Sequence, residues 1–146
     1  MKVKLLIDKQ YKEMECHICS DRNDAAINEA LRLARSVFDT SLVAYAGDET
    51  VMVPVSDIIR IYGANKQVYV TTQTGEYRIK ERLYELEEKL DDKCFVRISN
   101  SEIINVKKLV RMDTSMTGTI RMFLEGDIDT YVSRRYVTKI KKALGI

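Results

Sequence analysis

The chain has 146 residues, a formal net charge of +2, 45% hydrophobic and 32% charged residues. That length fits one domain, or one domain with a short appendage, and the apolar content supports a packed core and excludes wholesale disorder. No apolar run reaches the roughly 18 residues of a membrane span. The N-terminal stretch MKVKLLIDKQYKEME turns charged after a short apolar run, too short for a secretory signal. The expected location is therefore the cytoplasm, with no membrane insertion.

Residues 2–7 (KVKLLI) and 12–19 (KEMECHIC) read as strands. Asp21, Asn23 and Asp24 are N-cap candidates for a following helix. Ile27, Leu31, Ala34 and Phe38 fall on one face of that helix. Residues 1–42 thus read as a strand-strand-helix appendage. Its apolar stripe needs a cover, which makes it a candidate for dimerisation or for sensing a regulatory protein partner.

Beyond residue 42 the pattern becomes mainly β. Val43–Tyr45 and Thr50–Val55 flank the turn AGDE, and Ile58–Tyr62, Gln67–Thr72 and residues 76–80 follow as short strands. Pro54, the only proline, ends its run, where a missing N–H is tolerable. Residues 80–90 break the pattern: Leu83, Leu86 and Leu90 have helical spacing. Strands resume at Phe95–Ser99, Glu102–Asn105, Leu109–Met112, Thr119–Leu124 and Asp129–Val132. A last helix is expected from Ser133 as N-cap, with Val137, Ile140 and Leu144 as its stripe and Gly145 as its stop. Many short strands with two helices, over 43–146, imply a sandwich or layered antiparallel sheet and not a parallel α/β fold. The fold class is mainly β, α+β overall.

Charge is unevenly distributed. From Lys93 to Ile146 there are eleven Lys/Arg against five Asp/Glu, while the first 92 residues are net acidic. A basic end suits a polyanion, and equally a solvated face. Cys16, Cys19 and Cys94 are an odd number, against a disulfide framework. Cys16-His17-x-Cys19 invites a metal or redox reading, but structural zinc needs four ligands, and a redox pair normally opens a helix. The sequence holds a single histidine and no glycine-rich phosphate loop. No catalytic constellation and no cofactor site can be assembled from it, so an enzyme is not expected.

The stretch FVRISNSEIINVKKLVRM (95–112) resembles the signature of the LytTR family of DNA-binding domains. The matching residues are Phe95, Arg97, Ser99-Asn100, Ser101, Ile103-Ile104 and Asn105. Upstream, residues 57–90 follow the family run of strand, polar loop, strand, turn, strand and Leu-rich helix. Downstream, YVSRRYVTKIKKALG (131–145) is similar to its closing element. The resemblance covers about residues 43–146 and implies a layered β-fold that reads successive major grooves through loops. It implies base-contacting roles for Gln67 (or its neighbour Lys66), Asn100 and Arg135. The chain departs from the family pattern at Ser99, where many members carry His, and at Asn100, where a basic residue is common. No receiver domain fits within 1–42, so the resemblance is to a stand-alone regulator.

These residue types suit the chemistry. Arg pairs bidentately with guanine, and Asn or Gln with adenine. Lys66, Ser101, Lys107, Ser133, Arg134 and Lys139 can contact phosphates. Each also has an ordinary reading: Asn100-Ser101 as a turn, Arg134-Arg135 as a solvated helix start, the tyrosines 62, 69, 77 and 131 as core or sheet-face residues. The expected partner is double-stranded DNA, bound by a homodimer. The alternative is a protein-interaction module that keeps the fold without DNA binding.

Overall fold

The computed structural model describes residues 7–11, 15–38 and 40–146, the side chains of 35–38 excepted. The chain divides into two units, Met1–Asp39 and Thr40–Ile146.

In the first unit, helix α1 spans Ala25–Phe38. Asp24 starts it: its Oδ1 accepts the N–H groups of Ala26 (3.1 Å) and Ile27 (3.2 Å), which would otherwise lack partners. Of the expected stripe, Ile27 and Ala34 are half-buried, together with Ala30, while Leu31 is exposed. The strand expected over 12–19 is not present in its described part: residues 15–19 form no ladder. Apolar alternation there is carried only by Cys16 and Ile18, both exposed, too little buried surface to hold a strand. Residues 2–6 and 12–14 lie outside the described residues.

The second unit is built from ten strands and two helices. The strands are β1 (Ser41–Ala46), β2 (Glu49–Pro54), β3 (Arg60–Ala64), β4 (Gln67–Thr72), β5 (Gly75–Ile79), β6 (Phe95–Ser99), β7 (Glu102–Asn105), β8 (Leu109–Asp113), β9 (Ile120–Leu124) and β10 (Ile128–Val132). Helix α2 is Leu83–Lys89 and helix α3 is Val137–Leu144. All pairings are antiparallel. One sheet has seven strands in the order β2-β1-β5-β4-β3-β7-β6, and a second has three in the order β10-β9-β8.

Strand alternation divides the apolar residues between two cores. Leu42, Val53, Ile61, Val70, Ile79 and Ile103 pack on one face of the large sheet against Leu86 and Leu90 of α2 and its C-cap. Val96, Ile98 and Ile104 point to the opposite face, against Ile120, Met122 and Val132 of the small sheet and Ile140 of α3. Strands β6 and β7 therefore bury side chains on both faces. That is why EIIN at 102–105 is buried throughout and reads as a run without alternation.

Asn105 seals the crossing from β7 to the small sheet. It is 3% exposed, donates through Nδ2 to the Ile58 carbonyl (2.8 Å) and accepts the Lys107 N–H at Oδ1 (3.0 Å). Glu102, nearly buried, ties three strands: it pairs with Arg60 at 3.3 Å and accepts the Thr130 hydroxyl at 2.6 Å.

The closing helix begins later than its sequence suggests. Ser133 is extended (φ −64°, ψ 145°), its side chain caps nothing, and a 3-10 turn at Arg134–Tyr136 precedes α3. The Ser133 N–H donates to the Ile98 carbonyl on β6 (2.9 Å), and its extended backbone is the one an N-cap position ordinarily takes. Ser133 thus stands at the cap position of the 3-10 turn, but the expected capping of the last helix by Ser133 is corrected: its side chain makes no cap bond, and α3 begins at Val137.

Candidate nucleic-acid interface

Three connections meet at one end of the second unit. The β3–β4 turn carries Asn65 (φ 52°) and Lys66 (φ 62°), both left-handed, as a two-residue type I′ hairpin requires. Asn tolerates this region; Lys does so at a cost. The β6–β7 turn carries Asn100 and Ser101, with a bulge between Arg97 and Ser99 that re-aims the strand end. The 3-10 turn carries Arg134 and Arg135, both exposed.

An open groove of about 600 Å³ joins the first two turns, lined by Asn65, Lys66, Gln67, Asn100 and Ser101, with Arg82, Tyr84 and Arg97 along it. The third turn is joined by a hydrogen bond: the Tyr136 hydroxyl donates to Asn100 Oδ1 at 3.1 Å. That carbonyl oxygen keeps a second lone pair, so Asn100 can still accept from a base edge while its amide donates.

The β6–β7 turn is clamped from behind. Arg97 donates from Nε to the Ser99 carbonyl (2.8 Å) and from Nη2 to the Asn100 carbonyl. Its Nη1 also meets Glu87 Oε2 at 3.2 Å. One planar side chain thus fixes two successive carbonyls, which Lys cannot do. Ser99 completes the turn by accepting the Ser101 N–H at 3.2 Å. Ser99 thus serves the backbone of the turn.

The remaining sequence candidates are placed as follows. Gln67 is exposed at the start of β4, and its Oε1 accepts from Arg78 Nη1 at 3.2 Å. Arg134 lies over Gly118, where a Cβ would come within 3.0 Å of its Nε. Lys139 Nζ is 3.7 Å from Glu87 Oε1, so this phosphate candidate already has an acidic partner. Lys107 is not brought to this end. It follows Asn105, across about 13 Å of strand from the Asn100–Ser101 turn, and its charge lies by Cys94. Arg82, Tyr84, Asn65 and Tyr136 were missed from sequence. The Asn-Lys pair between two strands is a turn signal that could have flagged Asn65; nothing in the sequence marks Tyr136.

Tyr62, Tyr69 and Tyr77 belong to the sheet. Tyr62 and Tyr69 stack across β3 and β4 with centroids 5.5 Å apart, and Tyr77 packs against the first core. Burial pushes the Tyr62 hydroxyl above its ordinary pKa, reinforced by its bond to Glu76. Cys94 is half-buried, and burial likewise raises its thiol, with Lys107 opposing and Asp91 adding. Cys16 and Cys19 are exposed, and His17 Nε2 sits 2.7 Å from Glu15. Among the described residues no group of three or more His, Cys, Asp or Glu could hold a metal, and no helix is long and apolar enough to cross a membrane.

The family model of the LytTr DNA-binding domain matches residues 48–145. A protein of Staphylococcus aureus strain NCTC 8325, described as an uncharacterized HTH-type transcriptional regulator, is 35% identical over 100% of this chain and 99% of its own length. A relative of the same description from strain MSSA476 is 37% identical with the same coverage. In the second unit, no two helices are joined by a short turn as a helix-turn-helix needs; α2 and α3 are separated by five strands. A solved LytTr DNA-binding domain from Bacillus cereus superposes with a TM-score of 0.71 at 23% identity, covering 73% of this chain and 98% of that one. Mostly antiparallel sheets, the two-core layering and the matched residues agree: the chain belongs to the LytTr DNA-binding domain family.

Proposed function

We propose that the chain is a sequence-specific transcription regulator that reads the major groove through loops. The observation that carries this reading is the convergence of the 65–67, 100–101 and 134–136 turns, joined by one groove and one hydrogen bond. Asn100 and Arg135 are the base readers, with Gln67 the third once Arg78 releases its oxygen. Lys66, Ser101, Ser133 and Arg134 contact phosphates around them. Lys139 contributes after exchanging Glu87 for a phosphate, and Lys107 acts at most through the long-range field. The names of the relatives, which call them transcriptional regulators, support the same reading. A DNA ligand places the work in the cytoplasm. Residues 1–42 are the regulatory appendage and 43–146 the DNA-binding part.

A second reading, a protein-interaction module, is favoured by Glu87, which neutralises both Arg97 and Lys139 beside the groove. Selection of bound fragments from random duplexes by the full chain separates the two. The regulator enriches one motif; the interaction module enriches none.

A further inference from the structure

One hydrogen bond at the three-turn end of the second unit serves no ladder, helix or cap. It runs from the Tyr136 hydroxyl to Asn100 Oδ1 at 3.1 Å, between residues 36 apart in the chain. Both ends of this link are held. Tyr136 is half-buried and packs against the second core, and its N–H donates to the Ser133 carbonyl at 2.8 Å, so the ring stands as a fixed post. The Asn100 backbone is fixed by Arg97, whose Nη2 donates to its carbonyl. The freedom left to Asn100, an exposed residue, is in its side chain.

The terminal torsion of an asparagine is broad and roughly two-fold. An unheld amide therefore presents oxygen or nitrogen at the same place with little preference. A phenol hydroxyl is a better donor than acceptor, because the ring draws on its oxygen lone pair. Asparagine has a single acceptor atom, the amide oxygen. Tyr136 thus selects the orientation in which Oδ1 turns toward the 134–136 turn. Nδ2 is left on the other side, and among the described residues it meets no acceptor.

We infer, resting on the DNA reading proposed above, that Tyr136 is a positioning residue for base specificity: its hydroxyl holds the Asn100 amide with Nδ2 foremost, so that position 100 selects a base edge with an acceptor there. A base that turns an amino group to the same point, as cytosine does in the major groove, sets donor against donor and leaves both without a partner. The second lone pair of Oδ1 still completes a two-bond contact where the base supplies a donor beside its acceptor. Because the amide is oriented before DNA arrives, its ordering is removed from the cost of binding. Arg97 and Tyr136 divide the work, the first holding the backbone of the turn and the second its side chain.

The test uses the full chain and the duplex it selects from random sequence. Wild type, Tyr136→Phe, Asn100→Ala and the double variant are titrated on that duplex and on its single-base variants. Phe keeps the ring against the core, so the circular dichroism spectrum should be unchanged. At the base position where Asn100→Ala loses discrimination, Tyr136→Phe is expected to lose roughly two- to tenfold, the worth of one hydrogen bond. The amino-bearing alternative base should recover most. Discrimination at other positions and affinity for unrelated duplexes should stay as in wild type. In the Asn100→Ala background, Tyr136→Phe should change nothing further, since the two residues act as one unit. In the free chain, the Asn100 side-chain amide resonance, identified by its absence in Asn100→Ala, should move toward that of an unheld asparagine in Tyr136→Phe. Additive effects of the two changes, an equal loss at every base position, or an amide resonance indifferent to Tyr136→Phe would each overturn the inference and leave the DNA reading standing. Selection that enriches no duplex would overturn both.

Discussion

Lys66→Gly should make the protein more stable and its DNA binding weaker. Lys66 sits at φ 62° in a turn where both central residues are left-handed. That region costs an L-residue about 1–2 kcal/mol. Glycine removes this cost but loses more freedom on folding, about 0.5–1 kcal/mol. Taken between the middles of these ranges, the difference leaves the variant more stable by about 0.75 kcal/mol. The Lys66 side chain is exposed at the hairpin tip, so little packing is lost to offset the gain. With a urea slope of about 2 kcal/mol per molar, the unfolding midpoint should rise by roughly 0.2–0.5 M. If Lys66 contacts a phosphate, the same variant should bind all duplexes more weakly. The slope of log affinity against log salt should then shrink by about 0.9, one phosphate's worth of released counterions. Asn65→Gly is the control: Asn already tolerates the left-handed region, so its stability gain should be smaller. A lowered urea midpoint for Lys66→Gly would refute the strain argument. An unchanged salt slope would refute the phosphate contact.

Arg97→Met strips two carbonyls of a charged donor and should cost about 2–3 kcal/mol in urea unfolding, the Glu87 pair adding under about 1 kcal/mol because it is half exposed. Arg97→Lys keeps the charge but not the fork, so it should fall between wild type and Met; equality with wild type would contradict the clamp. Asn105→Ala leaves the Ile58 carbonyl buried without its donor and should cost about 2–4 kcal/mol, read as a lower urea midpoint with unchanged slope. In iodoacetamide labelling near pH 8, exposed Cys16 and Cys19 should react before Cys94. Burial raises the Cys94 thiol, so less of it is thiolate at a given pH; equal rates at all three would contradict that environment.

Much of this fold is legible in the sequence because short-period signals dominate it. The hairpin turns, the run QVYVTT and the Leu spacing of α2 are local, and local rules are enough to find them. Arg97 and Asn105 are legible only as members of a pattern; that they clamp a turn and seal a strand crossing follows from contacts distant in sequence. The start of α3 is misread for the same reason. Ser133 has N-cap chemistry, but a 3-10 turn at Arg134–Tyr136, with Tyr136 bonded to Asn100 far away in sequence, intervenes before α3. The expected strand over 12–19 fails in its described part because alternation alone does not supply a partner. At the candidate interface, Asn100 and Arg135 are implied by the family resemblance, while the Tyr136 bridge and the partners of Gln67 and Lys139 depend on how distant elements meet.

The most direct test of the DNA-reading account is a salt-titrated comparison of wild type, Asn100→Ala and Arg135→Ala on the selected duplex and on single-base variants of it. The account predicts tight wild-type binding that weakens steeply with salt. It predicts that each alanine variant loses discrimination at its own base position, by about 1–3 kcal/mol, while binding to unrelated duplexes changes far less. Equal discrimination by all three proteins, or binding indifferent to salt, would contradict it.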